Sequence, residues 1–153
     1  MIILVSVVTS CDVQSGITKK SVEKYAQTPA STRAPTPEET PIDPADIVQV
    51  DTSVQGALIS VDESKKKKTV VCKKYDRVMV NNNDNAITIN GACRQIMVNG
   101  DQNEIVADAV AEIVFNGVGN EVRYSRFVNG NRPLVIDNKG GNQVEKTTSA
   151  GKD

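Results

Sequence analysis

The feature that most constrains this chain is a short internal repeat. Four similar units begin at Val78, Ile96, Ile113 and Leu134, so that their starts lie 18, 17 and 21 residues apart. Each unit has a three-residue β-prone run, an Asn/Gly-rich turn, and an Asn-x-[Ile/Val] sequence that opens a second β-prone run. This period is too short for a helical repeat and is typical of one coil of a β-solenoid. The sequence therefore predicts an all-β fold, a small parallel β-solenoid of about four coils.

A meander of antiparallel hairpins on Asn-Gly turns is the alternative. It would require turns of about two to five residues between neighbouring strands, and it gives no reason for the units to be alike. The repetition favours the solenoid.

The asparagines recur at fixed positions of the unit. Stacked coils place equivalent residues about 4.8 Å apart, so that side-chain amides can hydrogen-bond from coil to coil and satisfy the turns. One predicted ladder contains Asn85, Asn103, Asn120 and Asn142, and a second contains Asn81, Asn99, Asn116 and Asp137. This pattern favours a structural role for the asparagines over a catalytic one.

Alternation along the β-prone runs assigns side chains to the inside or the outside of the coils. The predicted inward residues are Val78, Val80, Ile87, Ile89, Ile96, Val98, Ile105, Ala107, Ile113, Phe115, Val122, Tyr124, Leu134, Ile136 and Val144. The outward residues of the first sheet are apolar: Met79, Met97, Val114 and Val135. Those of the second sheet, Thr88, Val106, Arg123 and Glu145, are mostly polar. The four apolar positions therefore form a predicted interaction face that needs a cover.

Residues 44–61 are one candidate for that cover. Asp43 and Pro44 resemble an N-cap followed by Pro at the first helical position, and apolar residues follow at helical spacing, which allows a capping helix. The β-branched residues and Gly56 favour a strand or an irregular extra coil instead. A protein partner or self-association through the face are the other two possibilities.

Composition divides the rest of the chain. Most of the prolines lie among Ser, Thr, Ala and Glu in a stretch that cannot form a packed core. The predicted organisation is a signal or lipobox-like segment at 1–17, a Pro-rich tether at 18–43, a capping or covering segment at 44–71, the solenoid at 72–146, and a disordered tail at 147–153.

The N-terminus is apolar and runs into Val8-Thr9-Ser10-Cys11, which resembles the lipobox of bacterial lipoproteins. By this resemblance Cys11 is the lipidated residue, which would anchor the protein to a membrane. Only ten residues precede Cys11 and no basic residue is among them, which departs from a typical signal peptide. A short buried strand with a free thiol is the alternative.

Cysteine parity adds a further expectation. With Cys11 assigned to lipid, Cys72 and Cys93 remain as one possible pair, which would be a disulfide in an oxidising compartment. Two buried free thiols in a cytosolic protein are the alternative.

The region from about Cys72 to Val144 resembles the domain of unknown function 3060 family, found in bacterial secreted proteins and lipoproteins. The matching residues are Cys72, Gly91-Ala92-Cys93, Ile96-Met97-Val98-Asn99-Gly100, and Gly140-Gly141-Asn142-Gln143-Val144. The resemblance implies a small parallel β-solenoid in the cell envelope or a secreted one, and it implies no activity.

Several function classes are disfavoured by composition. The chain has no His, a formal net charge of -1 and 3% aromatic residues, which argues against imidazole chemistry and against nucleic-acid binding. No cofactor, metal site or catalytic residue is predicted. A basic cluster of Lys65 to Lys68, Lys73, Lys74 and Arg77 is expected to be a solvated turn, or else a contact for anionic headgroups or glycans.

The sequence thus predicts a non-enzymatic structural or interaction module of the bacterial cell envelope, tethered through lipid. The alternative is a glycan-binding or carbohydrate-active solenoid. It would use the carboxylates of Asp84, Asp101, Glu104 and Glu121, with Tyr124 and Phe127 as the candidate aromatic residues of its groove.

Overall fold

The computed structural model describes residues 40–148. Cys11, the segment 1–17, most of the tether and the end of the tail therefore lie outside the described residues. Within 40–148 the elements are a 3₁₀ turn (Pro44–Asp46), β1 (Ile47–Val48), β2 (Leu58–Val61), β3 (Lys67–Val71), β4 (Arg77–Val80), β5 (Ala86–Val98), β6 (Glu104–Phe115), β7 (Glu121–Val128), β8 (Leu134–Asp137) and β9 (Gln143–Lys146). All pairs between these strands are parallel, which confirms the predicted all-β solenoid.

The coils have three sides. On the first side β2, β4, the second half of β5, the second half of β6, and β8 stack in that order. On the second side the stack is β3, the first halves of β5, β6 and β7, and then β9. The third side is short, and β1 pairs with the end of β7 there. The solenoid thus has about five coils, one more than predicted.

Two glycines explain how the coils turn and stack. Gly91 has a φ of 83°, lies where the register between β5 and β6 shifts, and allows the chain to bend between two sides. A Cβ at Gly91 would lie 2.4 Å from the carbonyl oxygen of Cys72. A Cβ at Gly117 would lie 1.9 Å from the carbonyl oxygen of Gly100, so these Asn-Gly turns pack backbone against backbone.

The core is a column of aliphatic side chains inside the coils. The buried residues of this column at the predicted inward positions are Val78, Val80, Ile87, Ile89, Ile96, Val98, Ile105, Ala107, Ile113, Phe115, Val122 and Tyr124. Because side chains alternate along a strand, every second residue of each run is buried.

The last coil differs from the prediction by one residue. Val135 aligns with the buried Ile113, and Ile136 aligns with Val114, so Val135 takes the inward position and Ile136 the outward one. The predicted inward placement of Leu134 and Ile136 is therefore wrong. The run Leu-Val-Ile is apolar at both parities, so alternation alone could not fix its register.

The first coil begins earlier than residue 72. The predicted organisation has 44–71 before the solenoid, whereas β2 stacks on β4 and β3 stacks on β5. Lys68 aligns with the buried Ile87 and so takes an inward position at the open N-terminal end. This coil lacks the Asn-Gly unit, which is why the repeat did not reveal it.

Residues 47–57, which we call the strap, run along the length of the solenoid. At one end β1 pairs with β7, and at the other the amide of Arg77 donates to the carbonyl of Ala57 at 2.9 Å. The capping helix is not formed. Asp43 and Pro44 begin only the 3₁₀ turn, because the following β-branched residues favour extended backbone. No helix within residues 40–148 is long and apolar enough to span a bilayer.

Candidate interaction surfaces

Asn85, Asn103, Asn120 and Asn142 form a continuous inner ladder. The Nδ2 of each of the first three donates to the Oδ1 of the next at 3.0 Å. The same Oδ1 atoms also accept the backbone N–H of the preceding Asn, at 2.9 to 3.0 Å. Asn85, Asn103 and Asn120 are at most 2% exposed. The side-chain amides of this ladder are engaged in hydrogen bonds within the stacked turns, so they have a structural role.

A second, outer ladder lies on the surface. Asn99 donates to Asn81 at 2.8 Å and Asn116 donates to Asn99 at 2.8 Å through their side-chain amides. The last member is Asn138, which donates to Asn116 at 2.7 Å and takes the place that the sequence analysis gave to Asp137. Asp137 instead accepts hydrogen bonds from Gly140 and Asn142 in its own turn. The one-residue shift of the last coil explains this difference.

Of the acidic residues considered for glycan chemistry, Glu104 and Glu121 contact a basic group and the carboxylate of Asp101 contacts backbone. Arg123 lies 2.9 Å from Glu104 and 2.7 Å from Glu121, and 3.9 Å from Glu145. The hydrogen bond and charge of Glu121, followed by those of Glu104, raise the pKa of Arg123. These three carboxylates share one cation, Arg123, in a surface ladder across the second sheet.

The other two carboxylates of the glycan hypothesis lie in stacked turns. Asp101 accepts the amide of Val118 at 2.8 Å, and the amide of Asp84 donates to the carbonyl of Asp101 at 3.1 Å. Tyr124 and Phe127 are buried against each other with ring centroids 5.8 Å apart, so neither lines a groove. Across residues 40–148, no group of three His, Cys, Asp or Glu side chains could hold a metal ion.

The predicted interaction face keeps three of its four members. Met79, Met97 and Val114 align on the outside of the first sheet, and Ile136 rather than Val135 continues the row. We call Met79, Met97, Val114 and Ile136 the outer stripe. Both methionines are half-buried, Val114 is buried, and Ile136 is exposed.

Residues 44–61 do not cover the outer stripe. Val48 and Val50 of the strap pack on the third side of the coils, against the small buried residues Ala92, Ala109 and Val128. The first of the three predicted covers is therefore wrong. Alternation could not reveal this site, because the third side contributes only a few residues per coil.

Asn129 holds the strap, a role that the repeat pattern does not predict. Its Oδ1 accepts the amide of Val50 at 2.8 Å and its Nδ2 donates to the carbonyl of Val50 at 3.1 Å. The side-chain amide thus pairs with the strap as a backbone strand would. The Asn-Gly pair at 129–130, outside the repeat units, was the available signal.

Asp76 fixes the other end of the strap, a role that the repeat pattern also does not predict. Its carboxylate accepts amides of Ala57 at 2.7 Å and of Lys73 at 2.7 Å, and it is buried. Burial raises the pKa of Asp76, but these two hydrogen bonds and a third from the amide of Lys74 lower it by more than burial raises it. The pKa of Asp76 therefore lies below its ordinary value of 3.8. The position of Asp76 as the one acidic residue among Lys73, Lys74 and Arg77 was the sequence feature that could have indicated this role.

The basic cluster surrounds the first coil. Lys65 to Lys68 occupy the turn before β3 and its first residues, and the amide of Lys66 donates to Oδ1 of Asn85 at 3.1 Å, which ends the inner ladder. Lys73 and Lys74 are exposed in the next turn. The structure thus gathers positive charge at the N-terminal end.

Cys72 and Cys93 form a disulfide with their Cα atoms 5.4 Å apart, which confirms the predicted pairing. The bond joins the first and second coils, and closing its 21-residue loop is worth about 3 kcal/mol in the chain-entropy model.

Comparison with known proteins supports a family assignment and nothing finer. Neither the curated proteins nor the solved structures give a match to the chain. Residues 80–142 match the model of the family described as Protein of unknown function (DUF3060). The matched residues hold the inner ladder and most of the outer stripe, so this part of the chain is similar to the DUF3060 family.

Proposed function

We propose that the chain is a non-enzymatic interaction module of the bacterial cell envelope, which docks to a protein partner through the outer stripe. One observation carries the proposal. Four apolar residues lie in register on the outside of the first sheet, whereas three of the four matching residues of the second sheet are polar: Thr88, Arg123 and Glu145, with Val106 as the apolar exception. A continuous apolar row that ends in the exposed Ile136, beside a mostly polar sheet, is typical of a contact surface.

The dimensions and chemistry of the outer stripe suit one extended segment or one helix of a partner. Four residues at about 4.8 Å per coil span about 14 Å. Met79 and Met97 have flexible thioether side chains, which adapt to the surface of a partner more readily than β-branched residues do. Rigidity comes from the core beneath, so the partner would meet a preformed row.

An envelope location is part of the proposal. The disulfide between Cys72 and Cys93 is favoured in an oxidising compartment, and the lipobox-like sequence at Cys11 would supply a lipid anchor. The Pro-rich stretch 18–43 would then give the solenoid reach from the membrane. We propose no role in nucleic-acid binding and no enzymatic activity, since Glu104 and Glu121 are both engaged in ion pairs with Arg123.

Site-specific photo-crosslinking in intact cells of the native host tests the docking. A photoreactive residue replaces Met97 in one variant and Thr88, on the second sheet, in the control. We expect a discrete crosslinked protein only from position 97, and we expect Met79→Asp in the same chain to abolish it. Identical crosslinking from both positions, or none from position 97, would contradict docking through the outer stripe.

Mass spectrometry of the native protein tests the anchor separately. We expect diacylglyceryl on Cys11, with Cys11 as the mature N-terminus. A mature chain that retains an unmodified Cys11 would contradict the lipoprotein assignment while leaving the docking surface untouched.

A further inference from the structure

Within residues 40–148, no further coil stacks on the C-terminal end of the solenoid, and this end is apolar. Leu134, Val135 and Ile136 are 59%, 44% and 37% exposed, although Val135 occupies an inward position. Among the described strands β8 pairs only with β6, so its other edge presents unpaired backbone groups. An exposed apolar strand edge is a template for pairing with another strand.

The N-terminal end is built differently. Lys68 occupies the inward position there, and Lys65, Lys66 and Lys67 surround it. Stacking another coil on this end would bury the Lys68 ammonium against a core, which is costly. Head-to-tail stacking of two copies is therefore disfavoured, because it would place the C-terminal end of one copy against the lysines at the N-terminal end of the other.

We propose that two copies of the chain join at their C-terminal ends, with their β8 strands paired antiparallel about a two-fold axis at Val135. A contact between like ends is isologous and closes after two copies, as in most soluble homodimers. It would satisfy the free edge of β8 without approaching the lysines. Pairing of the two strands would also extend the first sheet continuously from one solenoid into the other.

The sequence of β8 is self-complementary in this register. Val135 lies opposite Val135 of the second copy on the inner side, and Leu134 lies opposite Ile136 of the second copy on the outer side. Three apolar residues thus meet three apolar residues. Asp137 lies opposite Pro133 of the second copy and Asn138 opposite Arg132, so this register places no two like charges opposite each other.

This inference does not rest on the proposed function. It uses the edge of β8 and the inward Val135, whereas docking of a partner uses the row centred on Met97. Ile136 belongs to both surfaces, so the tests change Val135 for one and Met79 or Met97 for the other. Failure of one is therefore distinguishable from failure of the other by the variant that causes it.

Engineered cysteines test the register in the full chain with Cys11→Ser. Directly opposite residues of an antiparallel pair have Cα atoms about 4.5 to 5.5 Å apart, within disulfide range. We therefore expect Val135→Cys to form a covalent dimer under mild oxidation. Leu134→Cys is one control, because Leu134 of one copy lies two residues away in register from Leu134 of the other. Val106→Cys is a second control, similarly exposed but on the second sheet. Both should crosslink several-fold less than Val135→Cys. Equal crosslinking from all three variants, or no dimer from Val135→Cys, overturns the proposal.

Sedimentation of the same chain without added cysteines supplies the second readout. We expect the mass of two chains at roughly 100 µM, since a contact of this size is weak. Val135→Lys should restore a single-chain mass with an unchanged circular dichroism spectrum, and Val106→Lys should leave the dimer intact. A wild-type chain that stays monomeric at that concentration, or a Val135→Lys variant that remains dimeric, overturns the proposal.

Discussion

The inner and outer ladders are built from the same side chain, repeat and hydrogen bond, yet they lie in different surroundings. Their amide-to-amide distances are 3.0 Å inside and 2.7 to 2.8 Å outside. Three members of the inner ladder are buried, whereas Asn81, Asn99 and Asn138 are exposed. Geometry alone would therefore rank the two ladders alike.

Because of burial, removing an amide should cost more stability in the inner ladder than in the outer ladder. If an outer amide is removed, its neighbours turn to water, which replaces the lost bond at little cost. If an inner amide is removed, the backbone N–H and side-chain amide of the neighbouring Asn lose their acceptor where water does not reach. The lesson is that the value of a repeated hydrogen bond depends on what its loss leaves unsatisfied.

The largest difference is expected when a charge is introduced. Asn103→Asp would replace the Nδ2 donor to Asn120 by an acceptor and place a carboxylate in a buried ladder. We expect the free energy of unfolding in urea at pH 7 to fall by about 3 to 5 kcal/mol. The matched control Asn99→Asp should lose far less, because its carboxylate stays in water. Equal losses would mean that the inner turns are hydrated.

Truncation should give a smaller loss of the same kind. Asn103→Ala and Asn120→Ala should each lower the free energy of unfolding by about 1 to 3 kcal/mol, because each leaves buried turn groups without a partner. The double variant should show non-additivity of at least about 0.5 kcal/mol in a thermodynamic cycle, since the two side chains are bonded. Melting curves that match the wild type would show that the inner ladder does not contribute to stability.

Acid titration extends the comparison to carboxylates. Hydrogen bonds from Ser60 and Asn81 lower the pKa of the exposed Asp62 at the end of the outer ladder, and the pKa of the buried Asp76 is also lowered. A lowered pKa gives stability that is present above the ordinary value of 3.8 and is lost as the pH falls through the folded value.

Solvent screens Asp62, so Asp76 should dominate this acid loss. We expect wild type and Asp62→Asn to lose stability in parallel between about pH 5 and pH 2, and Asp76→Asn to show a shallower loss. Urea unfolding at several pH values measures these slopes. A slope for Asp76→Asn as steep as that of wild type would assign the acid sensitivity to other groups.

The smallest effect is expected at the outer ladder itself. Asn99→Ala should change the free energy of unfolding by less than about 0.5 kcal/mol, as for most surface substitutions. Chemical denaturation at neutral pH is the measurement, with Asn103→Ala beside it. A loss approaching that of Asn103→Ala would break the distinction between the two ladders.

The sequence was informative wherever coils repeat at constant length. Asn85, Asn103 and Asn120 recur at nearly constant spacing, so stacking follows directly from the repeat. The disulfide followed from parity once Cys11 was set aside. The first argument needs only the spacing of residues along the chain, and the second needs only the number of cysteines.

Two parts of the structure could not be obtained in this way. The longer coil before β8 changes the spacing, and Asp137 and Asn138 are both suitable ladder residues, so only the packed register decides between them. The strap has no repeat, and its position depends on Asn129, which contacts it from 79 residues away. Pairing between such distant segments leaves no periodic signal.

The strap also has a consequence for the order of synthesis. The ribosome delivers Val50 early, but its partner Asn129 follows 79 residues later. Coils can stack as they emerge, because each contacts mainly its neighbours, whereas this long loop closes only after β7 is complete. A nascent chain that stops before Asn129 would carry stacked coils with an undocked N-terminal segment. Closure of the strap therefore marks that translation has passed the end of β7.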